Sequence, residues 1–142
     1  FERSNKPYSM YRYPWSDVRE TLATMASDDP DLELIQVTYI NPETGKDAEN
    51  ILGFYAQMLR PNQEVHLPVR SPAMVFHVIE GVCDVTIQSN TFALDVADTC
   101  CAPGYTPISL KNRSTTEACF LFIADETPLH RKLGVFENRS HR

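Results

Sequence analysis

A chain of 142 residues, 42% of them hydrophobic, is long enough to bury one substantial core as a single domain without disulfide or metal staples. Its 19 acidic against 13 basic residues give a net charge of -6 with no basic run longer than two residues, which argues against a nucleic-acid or anionic-membrane partner. No apolar run approaches the roughly 20 residues that span a bilayer and no apolar secretion segment opens the chain, so a soluble cytoplasmic protein is expected. Phe1 is not an initiator methionine, and the chain is expected to start within a longer product.

Residues 1–15 are polar, dotted with aromatics and without period, and read as an arm or linker from a preceding segment; residues 16–142 read as a single domain. Tyr11, Tyr13 and Trp15 are either anchors for a partner domain or a lead-in packed on the chain's own body. A helix is predicted from Ser16, a good N-cap, with acids at Asp17 and Glu20 in the first turn and Val18, Leu22 and Met25 at helical spacing. Asp28-Asp29-Pro30-Asp31 should stop it near Ser27. Leu32 to Ile40 reads as a strand closed by the turn Asn41-Pro42-Glu43-Thr44-Gly45, and Ile51 to Arg60 as a strand entering a Pro61-Asn62 turn.

Short strands are then predicted at Val65–Val69, Met74–Ile79, Val82–Gln88, Thr91–Val96, Thr99–Cys101, Ile108–Asn112 and Glu117–Ala124, with a short element around Leu133, Val135 and Phe136 in the tail. Many short strands with regular turns indicate an all-β sandwich or barrel. Along Val82 to Gln88, Cys83, Val85 and Ile87 share one face, as a half-buried strand requires. Met74 to Ile79 is apolar on both faces and must be covered twice, by the interior and by a second subunit, a second domain or the N-terminal helix. Cys83, Cys100, Cys101 and Cys119 show no C-x-x-C spacing or nearby histidine ligand pattern and read as reduced, buried thiols; a redox-active adjacent pair Cys100-Cys101 is the alternative, disfavoured because neighbours on a strand point to opposite faces.

The stretch from Arg60 to Gly81 has the turn, strand, loop, strand and turn-glycine layout of metal-binding cupin barrels. Tyr11-Arg-Tyr-Pro-Trp15, Tyr39-Ile-Asn-Pro-Glu-Thr-Gly45, Leu59-Arg-Pro, Arg70-Ser-Pro, Phe76-His-Val-Ile-Glu-Gly81, Ala97-Asp98, Pro103-Gly-Tyr105 and Asp125-Glu-Thr-Pro128 with Leu133-Gly134 then follow in order. Over nearly the whole chain this resembles the C-terminal half of gentisate 1,2-dioxygenase-like bicupins. The resemblance implies a cupin double-stranded β-helix, or jelly-roll barrel, with a short N-terminal α-helix. It also implies that iron(II) sits in the N-terminal cupin of the full-length protein, which splits an aromatic ring with O2, and that this half holds no cofactor. The partners implied are that N-terminal half, further copies in a homo-oligomer, and a small aromatic acid.

In the cupin metal motif, counting back from Gly81 places the glutamate slot at Met74, the histidine slots at Arg70 and Pro68, and the first glycine at Asn62; the second motif puts its histidine at Ile108 and ends on Asn112. Pro, Met and Ile cannot replace the imidazole and carboxylate that oxygen-activating iron requires. Ala97 and Tyr105 stand where that family has glycines. No catalytic residue and no metal ligand is assigned in this chain.

Arg70 is the one candidate ligand-binding residue, because its slot points into the barrel, where a guanidinium must find an anion. Either it grips a small carboxylic acid by a bidentate fork, as in a stand-alone non-enzymatic cupin, or it pairs with a barrel acid such as Asp84 or Asp98. A third reading is an enzyme with displaced ligands from His66, His77 and Glu64 or Glu80. Ser71, Ser109 and Ser114 lack a nucleophile elbow, which leaves hydrolase chemistry without support.

Overall fold

The computed structural model describes residues 12–139. Helix α1 (Trp15–Asp28) opens it, one residue earlier than the pattern predicts. Ser16 is not its N-cap. Pro14 takes that place, its carbonyl accepting the N–H groups of Asp17 at 3.1 Å and Val18 at 3.3 Å, because proline's constrained φ, here -57°, suits the entry to a helix. At the other end the Arg60 guanidinium donates to the carbonyls of Ala26 at 3.0 Å, Asp29 at 2.7 Å and Leu32 at 2.7 Å. A cation there satisfies carbonyls without intrahelical partners and meets the negative end of the helix dipole.

The strands are β1 (Ile35–Thr38), β2 (Gly53–Leu59), β3 (Glu64–Leu67), β4 (Val69–Arg70), β5 (Met74–Glu80), β6 (Cys83–Ile87), β7 (Asn90–Leu94), β8 (Thr99–Ala102), β9 (Ile108–Lys111) and β10 (Cys119–Asp125), followed by helix α2 (Thr127–Leu133) and strand β11 (Asn138–Arg139). One sheet runs β1-β2-β10-β5-β8, the second β3-β9-β6-β7, and β4 pairs with β11. All pairings are antiparallel. The two sheets enclose Leu59, Phe76, Val78, Val85, Leu110 and Leu121, all fully buried. This is the all-β jelly roll with an N-terminal helix that the sequence leads one to expect.

Two predicted elements need correction. The single strand predicted over Val65–Val69 is two, because Pro68, which has no N–H to give a ladder, separates β3 from β4. The tail element predicted around Leu133, Val135 and Phe136 is instead α2, closed by Gly134 at φ 70° as a left-handed cap, and β11 beyond it is a strand the sequence pattern does not reveal. Two residues are too few for any periodicity to show.

Alternation along β6 is as predicted, with Cys83, Val85 and Ile87 buried. On β5, Met74, Phe76 and Val78 face the interior. The outer cover is helix α1, whose Leu22 packs with Ile35, Ala56 and Phe120, and whose cluster reaches Ile79. That cover stops short: Val75 remains 37% exposed.

The turn backbone explains how glycine slots tolerate other residues. Asn62, Ala97 and Tyr105 adopt φ of 58°, 72° and 58°, the left-handed conformation that glycine would take at no cost. Asparagine enters it readily. Tyr105 is held by its N–H to the Arg70 carbonyl at 2.7 Å and by the Arg139 guanidinium 4.8 Å over its ring.

Helix α1 is tied to the barrel by Glu80, which accepts from Arg19 Nε at 2.9 Å and Trp15 Nε1 at 3.1 Å. The Arg19 hydrogen bond first, helped by Trp15, holds the Glu80 carboxyl below its ordinary value of 4.5. A depressed folded-state pKa contributes stability above the unfolded value, lost as pH falls through the folded one. Acidification below 4.5 should therefore loosen α1, reported by the fluorescence of the single tryptophan, and Glu80→Gln should remove that change. The pair is partly exposed, so its weight is about 0.5 kcal/mol.

Candidate functional site

Three of the four metal-motif slots come together. Pro68, Arg70 and Met74 line one cavity of about 80 Å3 between the sheets, with Tyr55, Gln57 and Ile123. Ile108 lies apart in the core, paired in register with Leu67 and Ile87. The cavity has a polar side built on β2, because the inward series Tyr55, Gln57, Leu59 carries two polar residues.

Arg70 does pair with an acid, but with neither Asp84 nor Asp98. Its Nη2 lies 3.5 Å from Asp125 Oδ2 and 3.7 Å from Met74 Sδ, while its buried Nε finds no partner among the described residues. Asp84 is taken by Arg113 at 2.7 Å, and Asp98 accepts the Asp95 N–H at 2.8 Å. Asp125, at the end of β10, also accepts from the Tyr55 hydroxyl at 3.3 Å and the Thr127 N–H at 3.0 Å. Burial first, then the Asp125 charge, pushes the Tyr55 phenol up, so it remains a donor. Gly53 leaves room for this contact, since a Cβ there would meet the Tyr55 hydroxyl at 2.6 Å.

The residues at the slots do not fit iron: a proline, an arginine already paired with a carboxylate, a thioether and an isoleucine offer no imidazole or carboxylate set. The displaced-ligand reading also fails on position. His77 faces outward from β5, hydrogen-bonded to Thr99 at 2.7 Å, and Glu80 is engaged by Arg19 and Trp15. His66 lies on the other sheet, exposed, with Glu64 at 3.8 Å. Among the described residues no group of three or more His, Cys, Asp or Glu is placed to hold a metal ion.

Two smaller constellations are structural. Ser71 Oγ lies 3.0 Å from His130 Nδ1 and His130 Nε2 3.7 Å from Glu126, but Ser71 is buried and its hydroxyl accepts the Glu137 N–H at 3.0 Å, which pins the tail beside β4. Of the thiols, Cys83 and Cys119 are buried as expected, Cys100 is half-buried and Cys101 is exposed, which corrects the prediction of four buried thiols. The neighbouring Cys119 sulfur and burial push the Cys83 thiol up, and burial pushes Cys100 up to about 11. Under native conditions iodoacetamide should therefore modify Cys101 first, with Cys83 and Cys119 reacting only on unfolding; peptide mass mapping checks the order.

Outside the barrel, Tyr13 packs on Tyr39 at 5.0 Å and donates its hydroxyl to the Ile40 carbonyl, while Trp15 packs on Phe120 at 5.6 Å. These two aromatics therefore serve the chain's own body; Tyr11 lies outside the described residues. No helix among the described residues is long and apolar enough to cross a membrane.

No family model matches the chain. It is 63% identical over 139 residues to a gentisate 1,2-dioxygenase of Ralstonia sp, covering 98% of this chain and 39% of that protein. It is 26% identical over 136 residues to gentisate 1,2 dioxygenase 1 of Aquipseudomonas alcaligenes, covering 94% of this chain and 38% of that protein. The chain thus spans about two-fifths of the length of the curated relatives it matches. Among solved structures, salicylate 1,2-dioxygenase of Pseudaminobacter salicylatoxidans superposes with a TM-score of 0.79 at 23% identity, over 89% of this chain and 38% of that one. The cupin domain of Cnp3 from Schizosaccharomyces pombe superposes at 0.57 with 19% identity, over 75% of this chain and 72% of that one. At such identities the superpositions speak for the fold alone.

Proposed function

We propose that this chain, a cupin domain of the gentisate 1,2-dioxygenase-like bicupin family, is the C-terminal, metal-free half of a ring-cleaving dioxygenase, joined to the preceding half by an arm that ends before the Tyr13–Trp15 lead-in to α1. In this reading iron(II) and the hydroxylated aromatic acid belong to the N-terminal cupin, and this half supports it and helps build a homo-oligomer. The observation that carries the reading is the occupation of the metal-motif slots by Pro68, Met74 and an Arg70 already paired with Asp125. The strip of sheet beyond α1, where Val75 stays exposed, is suited to contact with the other half or another copy.

Anaerobic reconstitution with iron(II) tests this directly. The 142-residue chain should retain far less than stoichiometric iron and cleave no gentisate, and activity should require the N-terminal half. Stoichiometric iron on the isolated chain would overturn the proposal. A second reading, a stand-alone module gripping a small carboxylic acid through Arg70, is favoured by the unpaired Arg70 Nε–H. Asp125 already neutralises that guanidinium, so the supporting role is the better account.

A further inference from the structure

We infer that the groove between the lead-in to α1 and the loop before β2 is a binding site for a small organic cation, of the alkylammonium or quaternary-ammonium class. The inference does not rest on the supporting role of this half.

Four aromatic rings carry the argument. Tyr13, Tyr39, Phe54 and Phe122 line an open groove of about 470 Å3, together with Ala48 and Glu49. The rings form an unbroken run: Tyr13 meets Tyr39 edge-on at 5.0 Å, Tyr39 meets Phe122 at 6.0 Å, and Phe122 stacks on Phe54 at 5.8 Å. The strands set this order, because the Tyr39 N–H donates to the Phe54 carbonyl at 2.9 Å and β2 pairs with β10. All four residues are half-buried, so surface from each stays open to the groove. The volume lies within the roughly 300–1,000 Å3 of small-ligand sites.

Charge decides the occupant. Glu49 is the one charged residue lining the groove; no lysine or arginine lines it. Its carboxylate accepts the Asn50 N–H at 3.2 Å and has no basic partner among the described residues. Burial pushes the Tyr39 phenol up, so that ring stays neutral. An aromatic face is electrostatically negative, and rings and carboxylate therefore both favour a cation and both disfavour an anion. An aromatic acid is thus unsuited to this groove. A hard metal ion would find a single carboxylate where it needs several oxygen ligands. A neutral apolar solute would gain from the rings and leave the carboxylate unused. An ammonium head bearing methyl groups meets both features, with apolar surface for the rings and charge for Glu49.

Choline is the probe, titrated into the full 142-residue chain labelled with nitrogen-15. Its neutral isostere, with a tert-butyl group in place of the trimethylammonium head, is titrated in parallel. The choline N-methyl protons should move upfield saturably, as methyls held over aromatic faces do. The backbone amide resonances of Glu49 and Phe54 should move with them, and equal sodium chloride should leave those amides in place. The isostere should bind about fivefold or more weakly. Glu49→Gln, an exposed change that keeps an acceptor for the Asn50 N–H, should weaken choline about twofold to fivefold and leave the isostere unchanged. The inference is overturned if choline shows no saturable shift, or if the isostere binds equally well, which would make the groove merely apolar. Undiminished choline binding by the Glu49→Gln chain also overturns it. Should that variant fail to fold, the two titrations of the unaltered chain decide alone. Iron content and dependence on the N-terminal half are separate readouts, so either proposal can fail without the other.

Discussion

Asn112→Ala should lower the stability of the chain by about 3–5 kcal/mol, measured as a shift of the urea midpoint at constant m-value. Asn112 is fully buried, and its single Nδ2 serves three carbonyls: Leu59 at 3.3 Å, Arg60 at 3.2 Å and Glu117 at 2.7 Å. Its Oδ1 accepts the Ser114 N–H at 2.9 Å. One side chain therefore bolts the end of β2 and its following turn to the loop that enters β10. Alanine removes this donor from all three carbonyls, of which only that of Arg60 keeps another, the Gln63 N–H at 3.1 Å. Asn112→Asp should do no better, because it keeps the acceptor for Ser114 and turns a carboxylate on three carbonyl oxygens. A loss below about 1 kcal/mol for alanine would show that the loop opens and the carbonyls hydrate.

Removing Asp125 should cost a similar amount. Its carboxylate is buried and accepts from Arg70, Tyr55 and the Thr127 N–H, so Asp125→Ala strands a partly buried guanidinium and a phenol together, at about 3–5 kcal/mol. Asp125→Asn keeps an acceptor for Thr127 and Tyr55 and should cost less, about 1–2 kcal/mol. Replacing both members of the pair, Arg70→Met with Asp125→Leu, should recover most of the loss, because an apolar pair needs no compensation. Urea unfolding of the three variants gives the order; a double variant no more stable than Asp125→Ala would show that the stranded guanidinium is not the source of the loss.

Much of the barrel could be read from local pattern. Period-two alternation marks β6, the glycine at 81 marks a turn that takes φ of 85°, and the residues at the metal slots are legible by counting along one motif. The candidate site was only half legible. Arg70 is legible because its slot must face inward, but its partner is not: Asp84 and Asp98 are the acids the pattern offers, and Arg113 holds the first of these. Asp125 lies within a recognisable Asp-Glu-Thr-Pro stretch but 55 positions from Arg70, and no spacing rule joins them. Gln57 had one weak signal, a polar residue at an inward position of an otherwise apolar run.

What the sequence determined by itself is the set of properties carried by short-range chemistry: an all-β chain, most strand positions, and slots without imidazole or carboxylate. Tertiary structure alone decided that Arg60 caps α1, that Asp125 neutralises Arg70, and that Gln57 is fully buried. These outcomes follow from the register of β2, β5 and β10 and from the closure of two sheets on each other. A strand's alternation specifies which face a residue takes, but the neighbour it meets there comes from another part of the chain.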